Sequence, residues 1–203
     1  RLLCFSLCVA LGVGAIVALR SVVQTLRWAL TRDARALTAG DVRLQTTRPL
    51  ETAARARLEA LFRREAVTTR TDAIEVTTMV RPGDAANAQV RSIEVLAVEP
   101  AWPLYGAVSL EGGAAYTHDL LRGRGALVRP ELLTHLALSI GDPIVIGEAT
   151  FTIRGVVRSE PGRRLSVFSL GPRVLVDLAA LADTGLLRLG SRAHYLTMLR
   201  VPE

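Results

Sequence analysis

The stretch from Leu2 to Leu19 (LLCFSLCVALGVGAIVAL) carries no charge, and Arg1 and Arg20 bound it. As a helix rising about 1.5 Å per residue it reaches about 27 Å, close to the thickness of a bilayer's hydrocarbon core. A span here puts nearly all of the remaining chain on one face of a membrane, which limits more than any other feature what the chain can fold into. A cleavable leader fits less well, because the run is long for a leader's apolar part and no small-x-small cleavage site follows it. Cys4 and Cys8 lie near the start of the run, whereas a lipid-modified cysteine would follow it. No cysteine occurs elsewhere, which excludes a disulfide framework or thiolate metal site in the folded part. Ser6, Ala10, Gly14 and Ala18 recur every fourth residue and form one face of small side chains, along which another transmembrane helix can approach closely. Small residues are also common in any apolar helix, so this face is a candidate packing surface.

Helical periodicity continues past Arg20. Val22, Val23, Leu26, Leu30, Ala34 and Leu37 fall on one side, and Arg20, Gln24, Arg27, Thr31 and Arg35 on the other. Gly40 is placed to stop the helix. One helix from Leu2 to about Ala39 would measure about 57 Å, roughly twice the bilayer core, and would hold a folded domain above the membrane on a stiff stalk. The stalk's apolar stripe then needs a partner; the alternative is a helix lying in the interface plane. Residues 1–40 thus read as a transmembrane helix (2–19) plus an amphipathic stalk.

The remainder reads as an α+β domain. Asp41 to Thr47 is a short alternating strand with Val42 and Leu44 on one face. Residues 51–64 form an amphipathic helix with Ala54, Leu58, Leu61 and Phe62 inward and Arg55, Arg57, Arg63 and Arg64 outward. Ile74, Val76, Thr78 and Val80 alternate as a strand, Pro82-Gly83-Asp84 turns, and Gln89 to Val98 returns. An irregular segment follows, with Trp102 and Tyr105 as its anchors. Ala126 to Val128 is a strand, then Pro130 starts a helix that buries Leu132, Leu133, Leu136 and Ala137. Ile144 to Ile146 opens a hairpin through Gly147-Glu148, with Phe151, Ile153 and Val157 facing in. Arg173 to Asp177 is a strand, Leu178 to about Leu186 a helix, and Tyr195 to Val201 a last strand. The closing β-α-β echoes the opening one, which suggests two related halves (41–99 and 173–203) around an inserted subdomain (100–172).

Lys+Arg 25 against Asp+Glu 19 gives a net charge of +6, every basic residue being arginine. The arginines are scattered and aromatic residues are few, so no nucleic-acid partner is expected. The sequence contains no GxxxxGK[ST], HExxH or CxxC. Ser169 lacks the first glycine of a nucleophile elbow and reads as a loop serine. His118, His135 and His194 are dispersed without metal-ligand spacing, and the adjacency of His118 and Asp119 is no sign of a catalytic pair. Asp41, Asp84 and Asp142 sit at turns, where local hydrogen bonds suffice to explain them. No enzyme activity, cofactor or metal site is expected. The chain starts without Met and stops at Val201-Pro202-Glu203, which reads as part of something longer.

An ordered set of short motifs adds a resemblance. It comprises Leu37-Thr38-Ala39-Gly40-Asp41-Val42, Arg48-Pro49-Leu50, Trp102-Pro103-Leu104-Tyr105-Gly106, Ile140-Gly141-Asp142 with Ile146-Gly147, and Phe168-Ser169-Leu170-Gly171-Pro172-Arg173-Val174. Over essentially its whole length the sequence resembles the N-terminal part of an FtsX-like ABC transporter permease with a MacB-like periplasmic core domain, in particular the YbbP-type branch. The resemblance implies a porter-like periplasmic domain after the first helix, then three further membrane helices. It implies a bacterial inner-membrane protein with residues after about 40 on the periplasmic side. It also implies a separate ABC ATPase subunit, a second permease copy or paralogue, and a lipid bilayer as partners. In such permeases long helices transmit ATP-driven motion to the periplasmic domains, acting on a lipid, lipoprotein or other hydrophobic envelope substrate. The alternatives are an FtsX-like regulator of cell-wall hydrolases and an unrelated anchored sensor or binding domain. One feature opposes the implied topology: Arg20, Arg27, Arg32 and Arg35 follow the span and only Arg1 precedes it, although long domains cross membranes largely regardless of charge.

Overall fold

Alternating Val, Ile and Thr runs separated by Gly and Pro turns fold here into one nine-stranded sheet. The computed structural model describes residues 11–25, 39–65, 67, 69–83, 89–162, 171–188 and 192–201. The strands are β1 (Val42–Thr46), β2 (Thr69–Pro82), β3 (Arg91–Val98), β4 (Ser109–Leu110), β5 (Gly125–Val128), β6 (Pro143–Ile146), β7 (Ala149–Ser159), β8 (Arg173–Asp177) and β9 (Ala193–Arg200). Helix α1 spans 11–25, and α2 (Thr52–Arg64), α3 (Pro130–Leu136) and α4 (Leu178–Leu181) follow.

The pairings close on themselves. β2 pairs with β3, β3 with β8, β8 with β5, β5 with β7, β7 with β6, and β6 returns to the far end of β2. Closure removes unpaired edges from this part of the sheet. Inside it lie Val80, Ile93, Val95, Ile144, Ile146, Phe151, Ile153 and Val174, together with Leu132 and Leu136 of α3 and Leu181 of α4. Each large side chain buried there contributes about 1.5–3 kcal/mol. A second core on the opposite sheet face joins Leu96, Val98, Leu175, Leu196 and Met198 to Trp102, Val108 and Leu121 of the irregular segment. β3 and β8 lie between the two cores, which is why they are nearly continuous apolar runs. β1 and β9 extend the sheet beyond β2 as an antiparallel wing.

Several expectations change in detail. β2 begins at Thr69, earlier than its alternation suggested, because β9 pairs with Thr69 to Val76. Val157 faces the second core rather than the first: a register shift where Leu127 meets Gly155 reverses the alternation along β7. Ala137 is exposed, since it adopts the left-handed conformation (φ 51°) that ends α3. The helix from Leu178 is only one α turn and a 3-10 turn, stopped at Gly185 (φ 67°). Leu61 is 42% exposed, and α2 buries no residue fully.

Candidate functional site

The link between the N-terminal segment and the domain is built from Ala39, Gly40 and Asp41. Ala39 is fully buried in the second core with φ 55°, and a Cβ at Gly40 would stand 3.2 Å from that of Met198. The Asp41 amide donates to the Leu199 carbonyl at 2.9 Å. The Asp41 carboxylate accepts from the Tyr105 hydroxyl at 2.7 Å and from the Val201 amide at 3.0 Å. The Arg200 guanidinium lies 5.2 Å from the centre of the Tyr105 ring. Because β1 and β9 run antiparallel, residues 39–41 and 199–201 meet at one end of the ladder, and the segment carrying Tyr105 joins both. Local hydrogen bonds therefore do not explain Asp41: its partners stand 64 and 160 residues away.

Of the residues expected to pack transmembrane helices, Gly14 and Ala18 lie on α1; Ser6 and Ala10 are outside the described residues. Of the expected stalk stripe, Val22 and Val23 lie on α1, while Leu26, Leu30, Ala34 and Leu37 are outside the described residues, as are Ser169 and Asp84. Every residue of 11–25 is exposed, with Leu11 at 67% and Leu19 at 68%. Among the described residues no helix is long and apolar enough to cross a membrane.

A cleft of about 310 Å³ opens between α2 and the wing of the sheet. Leu58 and Phe62 of α2 face Leu44, Ile74 and Tyr195 across it, with Leu178 at one side. Its polar floor centres on Arg70, which pairs with Glu59 and with Asp72. Hydrogen bonding to Asp72 is the main reason the Arg70 guanidinium is held above its ordinary pKa. Asp72 also accepts from the Thr197 hydroxyl at 2.6 Å, and its amide donates to Glu99 at 2.7 Å.

On the opposite face of the sheet, Arg173 bonds Glu75 and Glu94 at 3.0 Å each. Its other terminal nitrogen stands 3.7 Å from the fully buried side chain of Glu160, as does Arg129. Arg43 approaches Glu75 at 3.5 Å, so three arginines balance three glutamates. Such a group contributes little net stability while intact, although losing one member leaves buried charge unpaired. Near Trp102, His118 faces Asp177 at 3.4 Å rather than its sequence neighbour Asp119, which pairs with Arg122. Tyr116 meets Trp102 edge-on at 6.2 Å, and burial, helped by the Asp177 charge, pushes its pKa up to about 12. Asp142 does bond locally, to the Ser139 amide at 2.8 Å, and His135 is exposed. Among the described residues no three His, Cys, Asp or Glu side chains stand together as a metal site.

The closed sheet thus carries a wing at whose end residues 39–41 and 199–201 meet. The sequence matches the MacB-like periplasmic core domain family over residues 3–202, and the chain belongs to that family. It is 28% identical over 189 residues to the ABC transporter permease YbbP of Escherichia coli (strain K12), covering 93% of this chain and 22% of that protein's length. Its fold is similar to the extracellular domain of YknZ, a noncanonic ABC-type transporter from Gram-positive bacteria. The TM-score is 0.51, at 10% identity over 79% of this chain and 82% of the other. The periplasmic region of MacB from Actinobacillus actinomycetemcomitans aligns with a TM-score of 0.47 at 13% identity, over 81% of this chain and 76% of that one.

Proposed function

We propose that this chain is the first membrane helix, stalk and periplasmic domain of the permease subunit of an ABC-type exporter in a bacterial inner membrane. A partner ATPase hydrolyses ATP in the cytoplasm, and a second permease copy or paralogue completes the assembly. The long helices relay the ATPase cycle to the domains after residue 40, which handle a lipid, lipoprotein or other hydrophobic envelope substrate. Within the domain, 41–99 and 173–203 are the porter-like halves and 100–172 the inserted piece, whose strands β5, β6 and β7 share the closed sheet and its core with β2, β3 and β8. Ser6, Ala10, Gly14 and Ala18 pack against other membrane helices, and Val22, Val23, Leu26, Leu30, Ala34 and Leu37 pack stalk on stalk.

The observation that carries this reading is the Asp41 junction. A lever transmits motion only if its attachment to the load is stiff. Here a buried Ala39, the β1–β9 ladder and the Asp41 carboxylate hold residues 39–41 to 199–201. Family membership and the likeness to a permease support the same reading. The test uses the full-length permease with its ATPase in proteoliposomes, with Leu26 and Leu30 both replaced by aspartate. ATP turnover should persist while release of a labelled lipid or lipoprotein is lost and the domain keeps its circular dichroism spectrum. Unchanged coupling would refute the role of the stripe, and ATP turnover stimulated only by a cell-wall hydrolase would refute export.

A further inference from the structure

We propose that the cleft beneath α2 is a binding site for a single-tailed amphiphile with a cationic, amine-bearing head. A surface helix ordinarily buries its apolar stripe. In α2 the stripe is only half-buried, and Leu58 and Phe62 overhang a cavity of about 310 Å³, within the usual range for small-molecule pockets. The wall opposite is apolar, through Leu44, Ile74 and Tyr195, and suits an aliphatic tail.

The sign of the head follows from the floor. Arg70, one of two arginines lining the cleft, is shared between Glu59 and Asp72. Glu99 faces the same cleft, accepts the Asp72 amide, and has no cationic partner among the described residues. Arg55, exposed on α2, also lines the cleft. Three carboxylates, Glu59, Asp72 and Glu99, against two arginines leave an excess of one negative charge where the tail's polar end would rest. An anionic head would meet that excess, whereas an ammonium would neutralise Glu99. The site is separate from the Asp41 junction, so this inference holds or fails independently of the transport reading.

Among the described residues, both buried cores draw on residues 39 to 198, and 11–25 adds nothing to either. The whole chain should be titrated with n-octylammonium, n-octanol and n-octanoate, three probes with one tail length, below their micelle concentrations. Backbone amide shifts of Asp72, Ala73 and Tyr195 report binding. Octylammonium should bind saturably and about fivefold more tightly than octanol, the factor one half-exposed charge pair supplies. Octanoate should bind most weakly. Glu99→Gln, which keeps an acceptor for the Asp72 amide, should erase the preference for the amine and leave octanol binding unchanged. Leu58→Trp should fill the cleft and abolish binding of all three; if it fails to fold, the Glu99→Gln result decides. No saturable shift with octylammonium, octanoate binding as tightly as octylammonium, or an amine preference surviving Glu99→Gln would each overturn the proposal.

Discussion

Removing the Asp41 carboxylate should loosen the domain at its attachment, and the structure sets the size of the effect. The carboxylate accepts one hydroxyl at 2.7 Å and one backbone amide at 3.0 Å, both partly buried. A hydrogen bond to a charged group contributes about 1.5–3 kcal/mol, and solvent access places these two near the lower end. Asp41→Ala should therefore cost about 2–4 kcal/mol. Tyr105→Phe removes only the hydroxyl and keeps the ring beneath Arg200, so it should cost about 1–2 kcal/mol. Because both substitutions delete the same bond, the double variant should cost about 1–2 kcal/mol less than the sum of the single effects. Urea denaturation of the whole chain gives all four stabilities, and hydrogen exchange at the Val201 amide reports the local effect. Exchange there should accelerate in Asp41→Ala and change less in Tyr105→Phe. Additivity within about 0.4 kcal/mol would refute the shared bond, and an Asp41→Ala cost below about 0.5 kcal/mol would refute the clamp itself.

Other parts of the fold make their own predictions. Arg173→Met leaves Glu75, Glu94 and Glu160 crowded together and should cost about 3–5 kcal/mol in chemical denaturation. Gly147→Ala would place a Cβ 2.1 Å from the Thr184 carbonyl at a φ of 60°, so the hairpin must shift; a loss well above about 1 kcal/mol is expected in a thermal melt. Phe151→Ala empties the centre of the closed sheet and should cost about 3–5 kcal/mol. Tyr116 has a folded pKa of about 12 against an ordinary value of 10.0, so its contribution to stability is intact below pH 10 and declines as pH rises towards 12. Tyr116→Phe should therefore flatten the fall of stability across that alkaline window, and an identical slope in both proteins would contradict the assignment.

Most strands could be read from the sequence because side chains on a half-buried strand must alternate, as Ile74 to Val80 do. The first residues of β2 could not: Thr69-Arg-Thr-Asp72 lacks apolar alternation, yet these residues are a strand because β9 pairs with them, and Arg70 and Asp72 enter the cleft network. Amphipathic spacing places Leu61 on the inward side of α2, yet it is 42% exposed, because spacing says which side faces the sheet but not how closely the helix settles on it. Trp102 and Tyr105 stood out as anchors by residue type, whereas the Tyr105 hydroxyl's partner, Asp41, is set by a β1–β9 register that no local pattern encodes. The Arg173 cluster left a trace, because Glu75 and Glu94 each interrupt an apolar run. Identifying their common partner required knowing that β8 lies parallel beside β3.

The central claim is that the stalk drives the domain through the Asp41 junction. The most direct test is a pulsed dipolar distance measurement on the full-length permease with its ATPase in nanodiscs, with a spin label at the exposed Glu111 of each copy. Trapping ATP should shift the distance between the two domains in the native protein. In the Asp41→Ala Tyr105→Phe variant, still folded and still hydrolysing ATP, the distribution should broaden and the shift should shrink. An identical shift in both proteins, or no shift in the native one, would contradict the account.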